Sequence, residues 1–215
     1  MKRISKLTLI LTLLSTFILA ETFYSVSLLQ KINKKYGKYT VNRFVLLKKK
    51  IKTLKDKTDL EKLKVINDFF NKVQYSSDSK VWKKKDYWAT PYEFLIKDKG
   101  DSEDYAFAKY FTLVRDLNID SNKLHFIYVK STKKKIYYMV LAYYKTKRSI
   151  PLILDSINYR VLPANKRVDI KPVYSFNAKT AGLNSKDKFK AKQGLKFRDL
   201  IKRIKEGRIW VYIDK

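Results

Sequence analysis

Apolar positions follow a helical spacing in the first third of the chain. From residue 21 to about residue 71, apolar side chains recur every three or four positions, with one interruption at Gly37. This spacing predicts amphipathic helices. Thr58 and Glu61 stand at capping-box spacing and mark a helix start. A short helix over 92–96 leads to Gly100, and the helix behind it has one apolar face, with Phe107, Phe111, Val114 and Leu117.

Beyond residue 120 the period of the pattern changes from the helical 3.6 to the 2 of a strand. Alternating and β-branched stretches predict four strands, at 124–129, 135–144, 151–155 and 159–162. No helix separates them, so we expect an antiparallel sheet and an α+β fold. The remaining predictions are a loop over 163–177, a mobile polar stretch over 178–193, a helix with Phe197, Leu200, Ile201 and Ile204 that stops at Gly207, and an edge strand over 209–213.

The first 20 residues predict a secretory signal peptide. Three basic residues, Lys2, Arg3 and Lys6, precede a mostly apolar run over 7–20 that ends in the small residue Ala20. The alternative is an uncleaved membrane anchor, for which the run is short. We therefore expect an exported protein in which residues 21–215 form one domain.

The formal net charge of +29 changes the list of partners to consider. Such a charge suits nucleic-acid binding, but an exported protein meets little nucleic acid. Lysines also outnumber arginines and are spread along the chain, whereas base and phosphate readers favour arginine. We interpret the charge as a solvated lysine-rich surface with weak attraction to anionic surfaces. The chain has no cysteine, which excludes disulfides and thiol chemistry.

The start of the central helix is the strongest candidate for a functional site. Residues 100–104 read Gly-Asp-Ser-Glu-Asp, so that Ser102 stands at the helix tip among Asp101, Glu103 and Asp104. Carboxylates in a first helical turn complement the positive end of the helix dipole. A buried helix with such a tip can present a reactive hydroxyl.

Five ordered motifs resemble the bacterial transglutaminase-like cysteine proteinases, the family of LapG-type periplasmic proteases. They lie at 86–95, 100–110, 138–144, 154–156 and 172–177, within a resemblance that covers about 61–177. The resemblance implies a papain-like, transglutaminase-like fold, a periplasmic location and a Cys-His-Asp triad. By position, the nucleophile falls on Ser102, the base on Tyr138 and the orienting acid on Asp155.

Two of these three triad positions therefore carry a different residue. A serine hydroxyl needs a base to take its proton, and a phenol with a reference pKa of about 10 is a poor acceptor at neutral pH. The one histidine, His125, stands on the preceding strand and not at the family's position; its use as a substitute base is a minor alternative. We predict a pseudo-peptidase, with an active peptidase that uses Ser102 as the alternative.

The resemblance also implies a cofactor and partners. The family counterparts of Asp101 and Glu103 bind calcium, and Asp104 is a third candidate oxygen ligand; alternatively, these acids only complement the helix dipole. The implied partners are an extended segment of a surface adhesin or the periplasmic domain of an inner-membrane cyclic-di-GMP receptor, in the control of biofilm formation and cell adhesion. A polyanion-binding periplasmic protein is a third hypothesis.

Overall fold

The computed structural model of the chain describes residues 25–181 and 187–206. The chain divides into two compact units, residues 1–49 and 50–215. Helix α1 (Val26–Leu54) is interrupted at Gly37, whose φ of 79° and ψ of 170° are not helical. Glycine adopts such a φ without a Cβ penalty, which confirms the predicted break. The predicted signal peptide and the predicted strand over 209–213 lie outside the described residues.

Short helices and a small parallel sheet follow α1. Thr58 and Glu61 form the predicted capping box at the start of α2 (Asp59–Phe70). The other elements, in chain order, are β1 (Gln74–Tyr75), α3 (Asp78–Trp82), α4 (Pro91–Lys97), β2 (Lys99–Gly100) and α5 (Ser102–Phe111). Strands β1 and β2 pair in parallel. Residues 74–80 thus contain a short strand and the start of a helix.

A five-stranded antiparallel sheet follows, and the strand periodicity predicts four of its strands. Its strands are β3 (Leu124–Ser131), β4 (Tyr137–Tyr143), β5 (Leu152–Leu154), β6 (Leu162–Pro163) and β7 (Ile170–Phe176). Their order across the sheet is β6-β5-β4-β3-β7, and every neighbouring pair is antiparallel. The prediction of a loop over 163–177 is wrong for β7, which pairs with β3 at an edge of the sheet.

The core lies where α5 packs on the sheet. The ring of Phe107 on α5 is 4.9 Å from Phe126 on β3 and 4.6 Å from Trp88. The last helix, α6 (Lys188–Lys205), adds Phe197 at 5.8 Å from Phe126. The polar stretch predicted over 178–193 is wrong from residue 188 onward, where α6 begins. Within 25–181 and 187–206, no helix is both long and apolar enough to cross a membrane.

Candidate functional site

The start of α5 is fixed by a close approach and by a capping box. A Cβ at position 100 would overlap Asp104 Oδ2 and the ring of Phe94, which are the nearest atoms to it. The Asp101 side chain accepts the Glu103 N–H, and the Asp104 side chain accepts the Asp101 N–H. Glycine at position 100 therefore lets the acidic first turn lie directly against α4.

Ser102 is buried at this helix start, beside the edge of β4. Its Oγ accepts a hydrogen bond from the Met139 N–H at 3.0 Å and donates one to Glu103 Oε2 at 2.5 Å. The other oxygen of Glu103 lies 3.4 Å from the Tyr128 hydroxyl. The structure thus places Ser102 next to Met139, the residue that follows Tyr138. The Ser102 hydroxyl proton lies in a hydrogen bond to Glu103.

Tyr138 and Asp155 meet in a buried network that also includes Arg167. The Tyr138 hydroxyl donates to Asp155 Oδ2 at 3.0 Å, and Arg167 Nη2 donates to the same oxygen at 2.6 Å. Asp155 Oδ1 accepts the Ile157 N–H at 2.7 Å. Burial raises the pKa of the Tyr138 phenol, and the Asp155 carboxylate adds to the rise. The phenol is therefore a proton donor here and not a base.

The Arg167 side chain makes a second ion pair, with Asp169. Arg167 Nε and Nη2 each lie 2.8 Å from an oxygen of the Asp169 carboxylate. The hydrogen bonds to Arg167 are the leading cause of the lowered pKa of Asp169. Sequence reasoning missed Arg167, because only the β5–β6 connection and the turn before β7 bring it back to Asp155.

Two buried polar side chains hold the main chain of Asp155. Lys109 Nζ donates to Asn71 Oδ1 at 2.8 Å and to the Asp155 carbonyl at 3.2 Å. Asn71 Nδ2 donates to the same carbonyl at 2.8 Å. Burial lowers the pKa of Lys109 to about 7. Neither residue stands out in the sequence, since a lysine within a helical stretch normally indicates a solvated position.

Three aspartates form an acidic cluster beside the tip of α5. Carboxylate oxygens of Asp78, Asp101 and Asp104 all lie within 4.8 Å of one another. Asp78 Oδ2 accepts the Tyr87 N–H at 2.6 Å, and Asp104 Oδ1 accepts the Ala89 N–H at 2.8 Å. Asp78 Oδ1 is buried and, among the described residues, has no hydrogen-bond partner. The structure thus brings Asp101 and Asp104, two of the three predicted calcium ligands, close to Asp78.

Burial and mutual repulsion make this cluster electrostatically unfavourable without a cation. Burial, together with the repulsion of neighbouring carboxylates, raises the pKa of Asp78 to about 6 and that of Asp101 to about 10. The pKa of Asp104 is also well above its usual range, first because of burial and then because of Asp78. Glu103 is directed away from the cluster, toward Ser102 and Tyr128.

His125 lies far from these positions along the strands. It stands opposite Ala142 in the β3–β4 register, whereas Tyr138 stands opposite Val129. Four residues along a strand correspond to about 13 Å. The His125 ring packs 5.1 Å from the ring of Tyr144, and burial lowers its pKa.

The comparisons with known proteins agree with this geometry. The family model described as "bacterial transglutaminase-like cysteine proteinase BTLCP" matches residues 39–179. The chain belongs to this family. The expected membership of this family and the expected transglutaminase-like α+β fold are thereby confirmed.

Solved structures of a LapG protein are similar over almost their whole length. Calcium-bound LapG from Legionella pneumophila is 38% identical, with a TM-score of 0.69, and the match covers 84% of this chain and 99% of the LapG chain. The EGTA-treated form of the same protein is also 38% identical, with a TM-score of 0.69, and the match covers 84% of this chain and 97% of that one. Among the curated proteins, none matches the chain.

Proposed function

We propose that this member of the family is a pseudo-peptidase, whose cleft binds a protein segment and does not cut it. The observation that carries the proposal is the Tyr138–Asp155–Arg167 network. A proteinase triad needs an acceptor for the proton of the nucleophile and an acid that orients that acceptor. Here the phenol donates a hydrogen bond to Asp155, and the Asp155 carboxylate is already ion-paired with Arg167.

The nucleophile position supports the same proposal. A cysteine at a helix start gains thiolate character from the dipole and a neighbouring imidazole. A serine keeps its proton under the same conditions, because the pKa of its hydroxyl lies far higher. In subtilisin, removal of the nucleophile or the base alone costs about a million-fold in turnover. Replacement of both residues therefore predicts negligible cleavage.

The proposed ligand is a protein segment, because the family is one of proteinases. We take an extended segment of a surface adhesin as the first candidate and the periplasmic domain of an inner-membrane cyclic-di-GMP receptor as the second. Both fit an exported protein in the periplasm, which the signal-peptide pattern of residues 1–20 supports. The protein would then act in biofilm and adhesion control by holding a partner.

We further propose that the acidic cluster binds calcium, as a LapG of the same family does. The donor set fits: three carboxylates supply the hard oxygen ligands that calcium takes. The buried, unpartnered Oδ1 of Asp78 points to the same cation, since an orphaned buried oxygen is costly without a ligand. The ion would hold α3 and the start of α5 together, next to Ser102.

The test restores the family's residues at both altered positions. Native protein, Ser102→Cys, Tyr138→His and the double variant are incubated with calcium and a surface adhesin segment of the same bacterium. We expect cleavage by the double variant alone, because only it has both a thiol and an imidazole. We also expect iodoacetamide to alkylate the double variant faster than Ser102→Cys at mildly acidic pH, since an imidazolium lowers a thiol pKa.

The double variant with Asp155→Asn added serves as the matched control, and its cleavage should fall. Cleavage by the native protein would overturn the pseudo-peptidase proposal. Equal alkylation of Ser102→Cys and the double variant would show that position 138 does not face position 102.

One contact favours an active peptidase as a second candidate function. The 2.5 Å hydrogen bond from Ser102 Oγ to Glu103 Oε2 gives the hydroxyl a carboxylate acceptor. If native protein cuts the adhesin segment, Glu103→Gln should abolish the activity, because the amide cannot take the proton. Activity that persists in Glu103→Gln would exclude this dyad.

A further inference from the structure

One end of the sheet carries an unusual combination of lysines and exposed apolar side chains. It consists of the β3–β4 hairpin turn and the start of β7, and we call it the basic tip. Its lysines are Lys130, Lys133, Lys134, Lys135 and Lys171, all exposed. Its apolar side chains are Val168, Tyr137 and Ile136, which are 85%, 62% and 40% exposed.

The basic tip is a fixed surface. The Ser131 N–H donates to the Ile136 carbonyl at 2.9 Å and closes the hairpin turn. The Thr132 N–H donates to the Asp169 carbonyl at 2.9 Å and joins the turn to the start of β7. The lysines and the apolar side chains are therefore held together on backbone that is already ordered.

Charge on the basic tip is almost purely positive. Asp169 is the single acidic residue in 130–137 and 166–171, and its carboxylate is taken by Arg167. Lys130 stands directly opposite Lys171 in the β3–β7 register, an arrangement of like charges that costs stability. An external anionic partner would remove that cost.

The aromatic and apolar side chains distinguish between anionic partners. Tyr137 stands opposite Lys130 in the β3–β4 register, and Lys130 Nζ lies 5.6 Å from the centre of its ring. A soluble polyanion would leave Tyr137, Ile136 and Val168 in water. A lipid bilayer offers them its interfacial layer, where tyrosine rings and apolar side chains are favoured and lysines extend to the headgroups.

We propose that the basic tip docks on a bilayer that contains anionic lipid. The lysines meet the headgroup phosphates, and Tyr137, Ile136 and Val168 enter the interface. This inference is independent of whether the protein cleaves anything. It has a consequence for the site: Tyr138 and Arg167 directly adjoin Tyr137 and Val168 in the chain, so docking would hold the triad positions close to the membrane surface.

The test is sedimentation of the full chain with vesicles. Vesicles of phosphatidylcholine and phosphatidylglycerol are compared with vesicles of phosphatidylcholine alone. Each lysine near an anionic surface contributes about fivefold to partitioning, so the triple variant Lys133→Gln, Lys134→Gln, Lys135→Gln should bind the anionic vesicles about 100-fold more weakly.

The matched control removes the same charge from the opposite end of β4. Lys145, Lys147 and Arg148 are exposed residues that follow the end of that strand, and their change to Gln should alter binding little. The full chain is used throughout, so residues 7–20 contribute equally to every variant. An equal loss in both triple variants would overturn the proposal, because it would indicate attraction by total charge and no specific tip.

A second variant separates insertion from simple attraction. Tyr137→Ser with Val168→Ser keeps every lysine and removes the two most exposed apolar side chains of the tip. We expect native binding to fall but persist at high salt, and the binding of this variant to fall further there, because salt screens only the electrostatic part and the apolar part of the tip has been removed. Native protein that fails to bind anionic vesicles, or a double serine variant as salt-resistant as the native chain, would contradict the proposal.

Discussion

Arg167 is the buried charge partner of Asp155. Its side chain is 1% exposed and pairs at 2.6 Å with Asp155, which is fully buried. An orienting acid in a proteinase triad must keep its carboxylate for an imidazole N–H. In this chain a guanidinium shares that carboxylate with a phenol, which donates a hydrogen bond to it and is a poor proton acceptor.

We expect Arg167→Leu to lower the free energy of unfolding by about 3–5 kcal/mol near neutral pH, because it leaves the buried Asp155 charge without its partner. The loss should be smaller at acidic pH. Arg167 holds the folded-state pKa of Asp169 below its unfolded value of about 3.9, so the stability from this ion pair is present above that pH and is lost as pH falls. Urea unfolding at two pH values measures both effects.

Arg160→Leu is the control, since Arg160 is exposed and a surface change of this kind stays within about 0.5 kcal/mol. If the loss of stability in Arg167→Leu did not depend on pH, the ion pairs between Arg167 and its carboxylate partners would not account for that loss.

The candidate site could be predicted from the sequence only where its residues belong to contiguous motifs. Ser102, Tyr138 and Asp155 stand inside stretches that resemble the family motifs. Asp78 and Arg167 reach the site through contacts between segments that are distant in the chain, and the sequence pattern around them indicates only polar loop. Buried charges are also rare, so a sequence pattern assigns such residues to the surface by default.

At the level of elements, helix α6 is attached through a buried arginine. Arg203 Nη1 lies 2.8 Å from the Tyr87 hydroxyl and 3.0 Å from Glu93 Oε2, and its Nη2 donates to the Trp88 carbonyl at 2.6 Å. The sequence predicts the apolar positions Phe197 and Leu200 on the buried face, and both are buried. It does not predict that an arginine shares that face.

We expect Arg203→Lys to speed amide hydrogen exchange in α6, while exchange in the sheet stays slow. An ammonium cannot reproduce the planar fork that reaches three acceptors outside α6 and Asp199 on the helix itself. Loss of one or two charged hydrogen bonds should lower the opening free energy of the helix by about 2 kcal/mol, which is roughly 30-fold faster amide exchange. Hydrogen exchange followed by mass spectrometry of the α6 peptides measures the change.

Arg198→Lys is the matched control, because Arg198 is an exposed residue of the same helix. Exchange that accelerates equally in α6 and in β3 would point to global destabilisation and would contradict a local clamp.

The edge strand β7 shows why the second half of the sheet was harder to predict. Pro172 removes a backbone donor, and the β3–β7 register shifts between Tyr128 and Val129. Most of its positions are solvent-exposed, so an apolar alternation is weak. An apolar alternation arises when one face of a strand is buried along its length. In β7 only Phe176 is buried, and the sequence therefore indicates a loop.

At the scale of the whole molecule, the net charge of +29 follows directly from the sequence. The sequence does not show where acidic side chains cluster in the folded chain. Asp78, Asp101 and Asp104 come together only in the fold. Their raised pKa values mean that the folded chain without calcium holds protons that the unfolded chain has released above about pH 4. Without calcium, stability should therefore fall as pH rises from mildly acidic to neutral.

Calcium should reverse this trend, because it binds the ionised carboxylates. At a free concentration about 100 times the dissociation constant, a ligand stabilises by about 2.7 kcal/mol, which is roughly 5–10 °C for a domain of this size. We expect that shift near neutral pH and a smaller one at about pH 5, where protons compete with the ion. Asp78→Asn should abolish most of it, whereas Asp56→Asn, at an exposed position, should not. Thermal melts in calcium and in EGTA make the comparison, and a shift that survives Asp78→Asn would place the ion elsewhere.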